Sequence, residues 1–172
     1  MKKILIASLI VSILIVVSGF SGTASAGVEP SPFKSTLGKV GSIDNNLAEI
    51  HRNLNLVLAE PPLNDQTPGW KGPANRLDAL AKQLTVVKLR LYEILDAQDP
   101  GVPLIELFEY LEEAILYRLD SIEHEMLDFL RVHSNDIERM PEAFLDSFYE
   151  VFDLIHDMQD RIFEFINPPP WP

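Results

Sequence analysis

The chain contains no cysteine among its 172 residues. That absence excludes a disulfide scaffold, a thiol nucleophile, zinc–thiolate and iron–sulfur sites, covalent haem attachment and a lipid anchor on cysteine. Glycine is scarce, with 8 residues, and neither G-x-G-x-x-G nor G-x-x-x-x-G-K-[ST] occurs, so a phosphate-cradling loop is not expected. The motifs G-x-S-x-G and H-E-x-x-H are also missing; His124-Glu125-Met126 begins like the last and lacks its second histidine. Positive charge is short as well. Lys and Arg number 14 against 26 Asp and Glu, giving a net charge of −12. A surface of that sign repels phosphate backbones and anionic lipid, which argues against nucleic acid as a partner.

What is present begins with an address. Met1, Lys2 and Lys3 precede an apolar run from Ile4 to Val17, and Ala24-Ser25-Ala26 follows. A charged start, a short apolar stretch and a small-residue site describe a secretory signal cleaved after Ala26; a spanning helix would need about 20 apolar residues. An uncleaved anchor is the alternative, and both put the remainder in an extracytoplasmic compartment, periplasmic or secreted. Loss of residues 1–26, with two lysines and no acid, would leave 146 residues and take the net charge from −12 to −14. No stable membrane insertion is expected after cleavage.

Residues 27–36, with Pro30 and Pro32, read as an extended leader. From there to residue 166 one pattern dominates. Apolar residues recur at Val40, Ile43, Leu47, Ile50, Leu54 and Val57; at Leu77, Leu80, Leu84, Val87, Leu91 and Ile94; and at Phe144, Phe148, Val151, Ile155, Met158, Ile162 and Phe165. Alternating steps of 3 and 4 hold one helical face, because 3.6 residues complete a turn. The third segment, Phe108, Leu111, Ile115, Leu119, Ile122, Met126 and Phe129, takes two steps of 4 in succession, a stutter that shifts its seam.

The breaks agree with four helices. Pro61, Pro62, Pro68 and Gly69 interrupt the stretch from Leu58 to Gly72, and Pro73 suits the first turn of helix two. Asp99-Pro100-Gly101-Val102-Pro103 makes a corner, Asn135 with Glu138 has capping-box spacing, and Asn167-Pro168 stops helix four. Helix one is expected to be the shortest, with Gly38 and Gly41 weakening its start. The expectation is an all-α, up-down-up-down antiparallel four-helix bundle over residues 37–166, with Trp70 folded back as a lid on one end. In architecture this resembles b-type cytochromes and other exported four-helix bundles, without a shared motif.

Helix four is wider than a packing seam requires. With Phe148 as position a, the b column holds Tyr149, His156 and Phe163, and the e column holds Leu145, Phe152, Gln159 and Ile166, Gln159 being the polar exception. The opposite face carries Asp146, Glu150, Asp153, Asp157, Asp160 and Glu164. An apolar arc this broad is either covered by neighbouring helices or left as a contact surface. Tyr149, Phe152 and Phe163 are the candidate contact residues, for an unknown protein partner or for self-association. Trp171 joins them from the proline-rich tail 167–172, whose three consecutive prolines favour a polyproline rod. Helix two carries Lys82, Lys88 and Arg90 and offers a basic complement to the acidic column.

The reading is of a non-enzymatic protein acting through protein–protein contacts, with no catalytic residue and no cofactor. The alternative is a metal or b-type haem carrier. If helices one and four are antiparallel neighbours, His51 falls near Ile155, within a turn of His156, and Asp153 precedes His156 by one turn. Asp120, Glu123, His124, Asp153, His156 and Asp157 also resemble fragments of a carboxylate-bridged di-metal bundle. That bundle needs two Glu-x-x-His motifs; here one is Asp153-x-x-His156 and the other begins with Ser121.

Overall fold

A computed structural model describes residues 32–59, 69–97 and 104–168. These form four helices and, among the described residues, no strand. The first, α1, is Pro32–Leu58, and α2 is Lys71–Asp96. The third, α3, runs Leu104–Tyr110, passes through a π-helical segment Leu111–Leu116 and continues as Tyr117–Val132. A short 3₁₀ turn, Ile137–Arg139, leads into α4, Glu142–Ile166. The signal segment, residues 1–26, lies outside the described residues. So do the corner from Asp99 to Pro103 and the tail beyond Pro168.

The seams expected from spacing are the core. Val40, Leu47, Leu54, Leu77, Leu84, Leu91, Leu111, Ile115, Leu119, Ile122, Phe144, Phe148, Val151, Ile155 and Ile162 are all essentially inaccessible to solvent. Trp70 is buried and meets Phe144 edge-on, with ring centroids 4.6 Å apart, so it closes one end of the core. Its carbonyl accepts a hydrogen bond from the Ala74 amide at 2.9 Å, and Pro73, which has no amide hydrogen to offer, sits in that first turn.

The stutter in helix three has a local explanation. The π-helical segment coincides with the double step from Leu111 to Ile115 to Leu119. A π turn takes more than four residues, so it restores all three side chains to the core side, where each is 0% exposed.

Three expectations need correction. Helix one is 27 residues long and begins at Pro32, inside the stretch 27–36 that reads as extended. Two glycines do not halt it, because Val40 and Ile43 lie between and beyond them on the buried face, and tertiary burial outweighs a propensity cost of about 1 kcal/mol per glycine. A Cβ at Gly41 would stand 3.5 Å from the Tyr110 hydroxyl of α3, an ordinary van der Waals contact. Finally, Asn135 does not cap α4. The N-cap is Pro141, whose carbonyl accepts hydrogen bonds from the Phe144 and Leu145 amides at 2.9 and 3.2 Å.

Side-chain pairs give the helix directions. Asp44 of α1 meets Arg118 of α3, and His51 meets Glu125. Both numbers rise together, so α1 and α3 run parallel. Between α2 and α4, Trp70 meets Phe144, Lys88 meets Asp157, and Asp96 meets Arg161, again parallel. Between α3 and α4 the order reverses: Phe108 meets Phe165, Glu123 meets His156, and Phe129 meets Phe148. The most extensive contact is α2–α4, followed by α1–α2, with α1–α3 and α3–α4 completing the ring. Helices one and four are therefore across the diagonal, not neighbours as the levelling of His51 with His156 assumed.

The α1–α3 pairing carries a register lock. Arg118 Nε donates to Asp44 Oδ1 at 2.6 Å, and His51 Nε2 stands 2.9 Å from Glu125 Oε1. The two pairs are one heptad apart, with the carboxylate on α1 in the first and on α3 in the second. A slip of α3 by seven residues would set Asp44 against Glu125, a like-charge contact. The His51–Glu125 approach is close but off hydrogen-bond alignment, and His51 Nε2 and Glu125 Oε2 are buried without a hydrogen-bond partner.

Two stability outcomes follow. Gly38 is exposed with nothing within 4 Å of a Cβ, so Gly38→Ala should stabilise the protein by about 0.5–1 kcal/mol in denaturant unfolding. A loss of stability would mean that α1 is not helical there. In a double-mutant cycle, Asp44→Ala and Arg118→Ala should couple by about 0.5–2 kcal/mol, since both side chains are mostly buried. Strict additivity would remove the register lock.

Candidate interaction surface on the fourth helix

The faces of α4 are assigned by their partners. On the side toward α2, Lys88 Nζ stands 2.7 Å from Asp157 Oδ2, and the Tyr92 hydroxyl donates to the same oxygen at 2.8 Å. Arg161 bonds Asp96, and both Lys88 and Arg161 lie 5.7 Å from the Tyr92 ring centroid. Asp78 holds the Lys82 ammonium above its ordinary pKa, and Glu150 of α4 acts in the same direction. Part of the acidic column thus has its basic complement within the chain, on α2.

These contacts set two titrations. Burial pushes the Tyr92 hydroxyl up to about 12, aided by its hydrogen bond to Asp157. The hydrogen bond from Lys88, and then that from Tyr92, hold the Asp157 carboxyl below its ordinary value.

On the side toward α3, the polar exception of the e column becomes intelligible. Gln159 is buried, and its Nε2 donates both hydrogens, to Asp120 Oδ1 and to Glu123 Oε2, each at 2.8 Å. His156 Nδ1 lies 3.9 Å from another oxygen of Glu123, and its Nε2 lies 4.0 Å from Asp160. Sequence reasoning isolated Gln159 only as a break in an apolar column. It assigned Asp120 and Glu123 to a metal-site fragment, because the column gives no information on which neighbouring helix supplies its partners.

The candidate contact residues divide. Tyr149 is 46% exposed and Phe163 53% exposed, both on the b column. Phe152 is half-buried, packs against the core and lies parallel to the His156 ring, with centroids 6.5 Å apart and planes 6° apart. Trp171 lies outside the described residues. The neighbouring helix adds Leu127, 47% exposed, opposite Phe152 in the α3–α4 register. Val86 and Leu89 of α2 are also exposed.

The residues of the carrier alternative are not brought together. His51 turns to Glu125 and His156 to Glu123, while Asp153 is exposed on α4. Among the described residues, no three His, Asp or Glu side chains converge in a way that would hold a metal ion. No described helix is long and apolar enough to cross a membrane. Comparison with known families, characterised proteins and solved structures finds no match to the chain.

The pH response of the α2–α4 contact has a definite sign. Asp157 titrates lower in the folded protein, so its contribution is present above about pH 4 and is lost as pH falls through its lowered value. Tyr92 titrates higher, so its contribution is present below its ordinary value of 10.0 and is lost as pH rises toward about 12. Unfolding midpoints measured across both ranges should show an alkaline decline that Tyr92→Phe reduces. An identical decline in the variant would assign it to other groups.

Proposed function

We propose that this is an exported, non-enzymatic helical-bundle protein that acts through protein–protein contacts, in a structural or adaptor role. The observation that carries this reading is the b column of α4. Tyr149 and Phe163 each leave about half their surface to solvent, two helical repeats apart on one stripe. Isolated exposed apolar residues are ordinary on protein surfaces; here Tyr149 lies at the level of the half-buried Phe152 and the exposed Leu127, and Phe163 continues the same stripe. Aromatic side chains are enriched in protein interfaces because they combine large apolar area with few rotatable bonds.

Export is part of the proposal and rests on the lysine-led apolar segment and Ala24-Ser25-Ala26. Alternating helix directions, as in an up-down-up-down bundle, are the connectivity we propose, drawn as two helical hairpins laid side by side. The carrier alternative has less support, since its two histidines face separate carboxylates.

A photo-reactive amino acid at Tyr149 or Phe163 tests the contact role in the native extracytoplasmic fraction. Discrete crosslinked products are expected from these two positions and not from Glu150 or Glu164, which lie on the column of Asp157 that faces α2. Equal yields from both faces, or none from either, would remove the contact role from α4. Amino-terminal sequencing of the same material should begin at Gly27; an intact Met1 end would contradict cleavage.

A further inference from the structure

We infer that the aromatic surface of α4 docks a basic amphipathic helix of a partner protein. This rests on the contact role proposed above and adds the chemistry of the partner. Tyr149, His156 and Phe163 recur every seven residues, so they form one stripe about 21 Å long. Its ends are apolar: Tyr149 with Phe152 and Leu127 at one, Phe163 at the other. Its middle is acidic. Asp120 and Glu123 are each 2.8 Å from the same nitrogen of Gln159, which places their oxygens within about 6 Å of one another.

That carboxylate pair is held in place but left electrostatically uncompensated. Gln159 is buried, its amide is neutral, and both of its hydrogens are already committed. Two like charges at such a separation repel, and more strongly where surrounding protein excludes water. Asp160 adds a third carboxylate beside His156. The imidazole is the basic group that this stretch supplies, and it is 60% exposed. The nearest arginines in sequence face elsewhere, Arg118 to Asp44 and Arg161 to Asp96.

An occupant of this surface must bring apolar groups to both ends and positive charge between them. A helix with anchors at i, i+4, i+7, i+11 and i+14 spans the same length, and Lys or Arg interleaved among them would meet Asp120, Glu123 and Asp160. A second copy of the chain would set two such acidic centres together, on molecules that each carry a net charge of −12. Charge therefore favours a basic partner over self-association.

Two synthetic helical peptides of about 18 residues with identical leucine anchors test this, one carrying Lys and Arg between the anchors and one carrying Glu. Fluorescence anisotropy with the full chain should show binding of the basic peptide, weakening with salt, and at least tenfold weaker binding of the acidic one. Asp120→Asn with Glu123→Gln should weaken the basic peptide about tenfold. Tyr149→Ser with Phe163→Ser should weaken it at least as much, and circular dichroism should show both proteins still folded. Equal binding of both peptides would overturn the basic-partner inference and leave the contact role standing. So would failure of both peptides while Tyr149 and Phe163 still crosslink, or aromatic-dependent self-association in sedimentation, which would make the second copy the occupant. If neither peptide binds and neither position crosslinks, the inference and the contact role fall together.

Discussion

The α2–α4 seam is the contact on which the rest of the arrangement depends. It is the most extensive helix pair, and it joins elements from the two halves of the chain. Trp70 on Phe144 anchors one end, while Asp157 gathers Lys88 and Tyr92 toward the other. With α2 committed to α4, α1 lies on the other side of α2 and α3 on the other side of α4. The register lock of Asp44–Arg118 and His51–Glu125 then closes the ring between α1 and α3. Apolar burial supplies the driving force, and the charged pairs select one alignment among several that would bury similar area.

This order decides which residues can meet. His51 and His156 sit on helices across a diagonal, so their nearness in a levelled diagram does not become a site. The same order sets α3 beside the aromatic arc of α4. Gln159 then bridges Asp120 and Glu123, and the b column is left at the edge of the pair. A polar residue in an apolar column and an exposed aromatic stripe thus share one cause, the placement of α3 along one side of α4.

Much of the fold was legible because heptad spacing is a local property. The buried seam residues follow directly from steps of 3 and 4, and even the π-helical segment was marked by the doubled step from Leu111 to Leu119. Other features depended on tertiary burial that spacing does not encode. The extension of α1 back to Pro32 is one. The placement of helix four against helix two is another: spacing identifies a buried face but not the face it meets. The contact residues were legible only in part. Tyr149 and Phe163 are exposed as an over-wide arc suggests, while Phe152 and Gln159 are drawn inward by α3.

The absence of cysteine permits a direct test of the helix order, since an introduced pair has no competitor. Lys82→Cys with Glu150→Cys places thiols on α2 and α4, and Arg52→Cys with Asp153→Cys places them on α1 and α4 at a matching level. A short bifunctional thiol reagent should crosslink the first pair within one chain and leave the second unlinked. Efficient linkage of the second pair and not the first would contradict the α2–α4 seam.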